Sequence, residues 1–173
     1  MHSFLLPLLN SEDSIKTNYV FWELELRAID LCIIGNPGFA TKCINNLMEK
    51  KNFNTDKAPR MSQVFPQAVI ADKFIFLSGT PGLDIISGQV ASNNFEDQAR
   101  QSFQNIKNIL EAAGSDMDKV VKTTVFMVAG NDFSILNKVY SEFFGTNSPA
   151  RSTPQVMPFP GGILISVECI ALL

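Results

Sequence analysis

The sequence predicts an α+β domain, a mixed β-sheet with two helices packed on one face. Three observations carry this reading. Two stretches place apolar residues at spacings of three and four, the period of a helix with one buried face. Several shorter runs alternate in character or are rich in β-branched and aromatic residues, which suits half-buried strands. The segments follow one another as β-β-α-β-α-β-β, so the helices can cover one side of a single sheet.

Taken in order, residues 1–53 read differently from the rest and are expected to form an N-terminal extension of uncertain structure, ahead of a domain at 54–173. Residues 4–9 are apolar, but the run is short, contains Pro7 and leads into Glu12 and Asp13, so it makes a poor signal peptide and is too short to span a membrane. Residues 19–27 alternate, and can be written equally as a strand or as an interrupted helix running through Ile34. Residues 67–71 and 74–78 form a hairpin connected by Asp72-Lys73. Gly79, Pro81, Gly82 and Gly88 then mark a loop. Asn93 or Asn94 caps a helix that carries Ala99, Phe103, Ile106, Leu110 and Ala113 on one face and ends at Gly114. Val120–Val128 is a strand, closed by Gly130, Asn131 and Asp132. Phe133, Leu136, Tyr140 and Phe143 lie on one face of a second helix, which Gly145 closes. An extended segment follows Pro149, the turn Pro158-Phe159-Pro160-Gly161-Gly162 reverses the chain, and residues 163–172 form the last strand. One face of that strand is apolar; the other carries Ser166 and Glu168.

A chain of 173 residues, 46% of them hydrophobic, supports one domain with a real core. Its net charge of -3 and pI near 5.1 lack the basic footprint that a phosphate backbone requires, so nucleic acid is not expected as the main partner. Cys32, Cys43 and Cys169 are odd in number and widely spaced, which fits neither a disulfide framework nor a zinc site and suits a reducing, intracellular setting. The only histidine is His2, so Ser-His-Asp chemistry has no histidine to use and no metal site is expected.

Arg151 is the sharpest candidate for chemistry. It follows Pro149 in a stretch without charge from Glu142 to Glu168, and its planar fork suits a small carboxylate. The alternative is a structural ion pair. A hairpin centred near Phe159 or Pro160 would bring Glu168 opposite Arg151 on an adjacent antiparallel strand. Glu168 is then either that partner or a carboxylate beside a substrate, able to deprotonate water. Asn137 either hydrogen-bonds at a pocket or is a solvated helix asparagine. Phe65, Phe126, Phe143 and Phe144 read as core, and Cys169 as inert packing.

Several segments in sequence resemble the RidA/YjgF family of reactive imine and enamine deaminases: QAV at 67–69, Ser78-Gly79, QARQSFQNIKNILEAAG, VVKTTVFM, NDF, the N-x-x-Y from Asn137 to Tyr140, PARS and the closing VECIA. The likeness covers roughly the last two-thirds of the chain, from about Ala58. It implies a chorismate-mutase-like subunit, a homotrimer with a cleft at each interface, and hydrolysis of 2-imino or enamine acids such as 2-aminoacrylate and 2-iminopropanoate to 2-keto acids and ammonia. It also implies no metal or organic cofactor. No membrane partner is expected, and the expected location is cytoplasmic, with the mitochondrion as alternative. By the same resemblance Arg151 holds the substrate carboxylate, Asn137 matches a pocket asparagine, and Thr153 stands where the family often has a cysteine. Three departures accompany it. Phe65 replaces the family's pocket tyrosine, Thr80 follows Ser78-Gly79 where glutamine is usual, and Ser166 replaces the glutamate credited with activating water. Glu168, on the same strand face, is the natural substitute for that acid. Two alternatives stand beside the deaminase: a weakened or inactive relative that binds small carboxylic acids, and an endoribonuclease or translation inhibitor.

Overall fold

The computed structural model describes residues 49–173, Met61 excepted. The expectations for residues 4–9 and 19–27, and those for His2, Cys32 and Cys43, fall outside the described residues. Ten strands and helices follow in order: β1 (Lys50–Phe53), β2 (Ala68–Ala71), β3 (Phe74–Leu77), β4 (Thr80–Pro81), α1 (Phe95–Ala112), β5 (Val120–Val128), α2 (Phe133–Phe144), β6 (Ala150–Ser152), β7 (Gln155–Val156) and β8 (Ile165–Leu172). Short 3₁₀ turns at Met117–Lys119 and Pro160–Gly162 lead into β5 and β8.

The strands form one mixed sheet in the order β1-β2-β3-β8-β5-β6, with β4 also on β8 and β7 also on β5. The hairpin turn forms at Asp72-Lys73 as expected, and Asp72 takes the positive φ of 53° that a two-residue connection needs. Asn94 caps α1 by accepting from the N–H groups of Glu96 and Asp97, and Asp132 caps α2 through Ser134 N–H. Because α2 carries the chain from β5 to β6 as a crossover, those two strands run parallel. The last strand, β8, enters the middle of the sheet, antiparallel to both β3 and β5.

Both helices pack on one face. Ile75, Val125, Met127, Ile165 and Val167 from the sheet meet Phe103, Ile106, Leu110, Leu136 and Val139 from the helices, all with no accessible surface. Each such side chain contributes about 1.5–3 kcal/mol by leaving water. Phe103 also packs against Tyr140, Phe143 and Phe144, with ring centroids 5.5 to 5.9 Å apart. Outside this core, Arg100 on α1 bridges Glu96 and Glu142, and Lys138 on α2 reaches Glu96, lashing the helices together at solvent-exposed positions. Such exposed pairs add little to stability.

Two features were not anticipated. Strand β1 lies within the stretch read as an extension; its four residues, Lys-Lys-Asn-Phe, carry no alternation long enough to signal a strand. Its lysines suit a sheet edge. The segment after Pro149 divides into β6 and β7 around Pro154, which has no N–H to give. Pro154 leaves the register unchanged, since the offset to β5 is the same on both sides: 150 − 122 and 155 − 127 both equal 28. The Pro154 carbonyl keeps the ladder by accepting from Met127 N–H at 3.1 Å.

Gln98, with no accessible surface, ties α1 to three loop positions. Its amide donates to the carbonyls of Ser92 and Gly162 and accepts from Leu164 N–H. Gly82 lies against the same turn of helix, where a Cβ would sit 2.1 Å from the Gln98 carbonyl oxygen. Gln98→Leu takes the partner from three partly buried backbone groups and is expected to cost about 2–4 kcal/mol in urea unfolding. Gly82→Ala, which drives a methyl into backbone, is expected to cost about 3 kcal/mol or more, read as a fall in Tm.

Candidate active site

Arg151 lies in β6 directly beside Thr123 of β5, and Thr123 is in turn paired with Cys169 of β8. Residues paired in register share a face, so Arg151 projects to the helix side, at the rim of the core. There its Nη2 donates to Asn137 Oδ1 at 2.8 Å, and its guanidinium carbon sits over the Tyr140 ring, 4.7 Å from the centroid. Asn137 and Tyr140 are three apart on α2 and therefore neighbours on one face. The Tyr140 hydroxyl pairs with Thr123 Oγ1 at 2.9 Å, and both residues are buried. Burial pushes the Tyr140 phenol above its usual value, opposed by the Thr123 hydrogen bond and the Arg151 charge.

Glu168 is elsewhere. It pairs with Thr124 of β5, one position along from Thr123, and so projects to the opposite face of the sheet. The expectation that Glu168 lies beside Arg151 on an adjacent antiparallel strand is therefore corrected: β5 stands between them, β6 runs parallel to β5, and the two side chains leave the sheet in opposite directions. The ion-pair reading of Arg151 with Glu168 falls with it. Among the described residues neither side chain forms a salt bridge.

Ser166 shares the Glu168 face, paired with Phe126 and with Pro81. Its hydroxyl lies so near Gly79 that a Cβ there would approach to 2.9 Å. Glu168, Lys122, Thr124, Phe76 and Ile170 border a depression of about 180 Å³. Lys122 Nζ donates to Ser152 Oγ at 2.7 Å. Phe65, read from the residues as core, is 46% exposed and lines a crevice with Pro66, Ser78 and Gly79. Phe144 does join the core and Phe143 packs against it, while Phe126 is half-buried on the Glu168 face. Thr153 Oγ1 is buried and is the one such side-chain atom among the described residues without a partner.

The structure thus gathers the candidates into two groups. Arg151 and Asn137 meet on the helix side; Ser166 and Glu168 lie on the opposite face, near the strand end that approaches Gly79 and Phe65. Sequence reasoning assigned Tyr140 to the apolar helix face and overlooked its contact with Arg151. The available signal was a single phenol in a strip otherwise made of phenylalanine and leucine, since a buried hydroxyl needs a partner.

Among the described residues no cluster of three or more His, Cys, Asp or Glu is placed to hold a metal ion. Cys169 is buried, and burial, with a smaller effect from Glu168, pushes its thiol up to about 12. At pH 8 the thiolate is then scarce and sterically covered, so iodoacetamide should spare Cys169 in the native protein and label it after urea unfolding. Peptide mass mapping reads this directly.

The family model described as endoribonuclease L-PSP matches residues 55–173. The human protein named 2-iminobutanoate/2-iminopropanoate deaminase is 40% identical over 123 residues, covering 71% of this chain and 90% of the relative. Reactive Intermediate Deaminase A, chloroplastic, from Arabidopsis thaliana is 39% identical over 139 residues, covering 80% of this chain and 74% of the relative. Among solved structures, the E. coli YjgF gene product superposes with a TM-score of 0.66 at 37% identity, covering 70% of this chain and 98% of that one. E. coli TdcF with bound serine gives 0.66 at 33%, covering 71% and 98%. With a family model spanning well over half of its length and deaminases of this kind as relatives, the chain belongs to the RidA/YjgF family and has its chorismate-mutase-like α+β fold.

Proposed function

We propose that the protein hydrolyses reactive 2-imino acids, and the enamines in equilibrium with them, to 2-keto acids and ammonia. The observation that carries this reading is Arg151. It is an exposed guanidinium with no carboxylate partner among the described residues, held by Asn137 and the Tyr140 ring with donors to spare. A 2-imino acid supplies the missing carboxylate and places its electrophilic carbon a fixed distance away. Water adds to that carbon, the C=N nitrogen takes a proton, and collapse of the carbinolamine expels ammonia: R–C(=NH)–COO⁻ + H₂O gives R–C(=O)–COO⁻ + NH₃.

The proton chemistry needs a second group, and one chain does not offer it beside Arg151. Glu168, the carboxylate on the Ser166 strand face, projects from the other side of the sheet. A complete site therefore takes Arg151, Asn137 and Thr153 from one copy and Phe65, Ser166 and Glu168 from another, in a homotrimer with clefts between subunits. The face from which Glu168 projects also exposes Phe76 and Leu172, apolar surface that self-association would cover. No metal or organic cofactor takes part in this scheme. The setting we favour is cytoplasmic, with the mitochondrion as alternative; no described helix is long and apolar enough to cross a membrane.

A second reading is favoured by one specific observation: a hydroxyl, Ser166, stands in place of the family's water-activating acid. On that reading the protein binds small carboxylic acids through Arg151 without turning them over. Ribonuclease action is less attractive, because the acidic chain offers no basic footprint for RNA.

A PLP-dependent dehydratase producing 2-aminoacrylate, followed by release of the 2-keto acid, separates the readings. Acceleration by the parent is expected, with a loss of about 10²–10⁴-fold for Glu168→Gln and at least about tenfold weaker 2-oxobutanoate binding for Arg151→Ala. Binding without acceleration selects the second reading. A mixing experiment tests the shared cleft: Arg151→Ala and Glu168→Gln chains, refolded together one to one, should regain about a quarter of parental activity, since a cleft is whole only when it takes Arg151 from a Glu168→Gln copy and Glu168 from an Arg151→Ala copy. No recovery would refute the division of the site between copies.

A further inference from the structure

Tyr140 enters the scheme above only as a ring beside Arg151, with no part in orienting the substrate. Its ring has one neighbour set in the core and another at the site. On the core side it lies 4.5 Å from the Phe144 centroid and meets Phe103 edge-on at 5.5 Å. Its hydroxyl is tied to Thr123, the residue directly beside Arg151 on the next strand. On the remaining side lies the Arg151 guanidinium, 4.7 Å from the ring centroid. One turn of helix away, Asn137 takes an Nη2 hydrogen.

An exposed arginine on a flexible stem samples many rotamers, and confining it is costly in entropy. Two contacts of different kind reduce that freedom here. The hydrogen bond to Asn137 fixes one edge of the fork, and the ring fixes its height above α2. Because the ring is itself held at both ends by buried groups, its position is set by the core. Bidentate carboxylate binding requires the carboxylate to lie in the plane of the fork, so whatever fixes that plane also aims the carbon next to the carboxylate.

We infer that Tyr140 is a positioning residue that acts through Arg151: its ring, anchored by Thr123 and the phenylalanine cluster, holds the guanidinium in the orientation that accepts a 2-oxo or 2-imino carboxylate. This rests on the proposed role of Arg151. The ring and the hydroxyl contribute differently. The ring supplies the cation–π contact, while the hydroxyl satisfies Thr123 inside the core.

Tyr140→Phe and Tyr140→Leu separate this from simple packing. Both lose the Thr123 hydrogen bond and should lower Tm, but only the leucine variant loses the aromatic face. Binding of 2-oxobutanoate to the folded proteins should stay within about twofold of the parent for Tyr140→Phe and weaken by about two- to thirty-fold for Tyr140→Leu, the range expected for a cation–π contact. Equal affinities for the two folded variants would overturn the inference. The side-chain Nε–H resonance of Arg151, identified by its loss in Arg151→Lys, gives a readout independent of ligand. A ring-current shift present in the parent and in Tyr140→Phe, and absent in Tyr140→Leu, supports the positioning role even if the parent binds no 2-oxobutanoate, in which case it is the proposed function that fails. The same shift in all three proteins overturns the positioning role whatever the ligand data show.

Discussion

The antiparallel pairing of β5 with β8 is the constraint on which the rest depends. Its register, Thr123 against Cys169 and Thr124 against Glu168, decides which residues face the helices and which face away. A slip of one residue would turn every side chain of β8 to the wrong side and place Glu168 in a core of isoleucine and valine. The register is protected by that penalty. It also fixes the address of Arg151, because β6 and β7 follow β5 with a constant offset despite Pro154.

The candidate site inherits its geometry from this sheet. Thr123 supplies the link: it is buried, lies beside Arg151 in the sheet, and reaches across to Tyr140 on α2. Asn137 then completes a small frame of three elements around one charge. Such a frame places a functional group on regular structure with little loop involvement, which keeps its geometry fixed. The opposite face has a different chemistry, with Glu168 and Lys122 set among Phe76, Thr124 and Ile170.

Most of the architecture was legible because the signals were local. The capping asparagine and aspartate, the three-four spacing of α1 and α2, and the alternation of β5 and β8 each lie within one segment. The short strands were harder: β1 and β4 are too brief to show a period, and only their partners define them. The site was half legible. Arg151 stood out by its isolation in an uncharged stretch, but its relation to Glu168 turned on strand order, which no local pattern records. A hairpin between β6 and β8 was the simplest connection; the chain instead places β5 between them, because the α2 crossover commits β6 to the far edge. Tyr140 was hidden for the opposite reason, its apolar ring matching the helix period so well that its hydroxyl drew no notice.

The central place of β8 has a consequence for the order of assembly. β3 and β5 never pair with each other; each pairs with β8. Until β8 arrives, the β2–β3 hairpin and the β5–α2–β6 unit are separate pieces joined by α1, each with an unsatisfied strand edge. The strand that unites them comes after all the others in sequence, and it closes contacts of long range, such as Ile75 with Ala171. Such closure is slow relative to hairpin and helix formation, so the nascent chain carries open edges until its last strand is available, a window in which chaperones have something to hold.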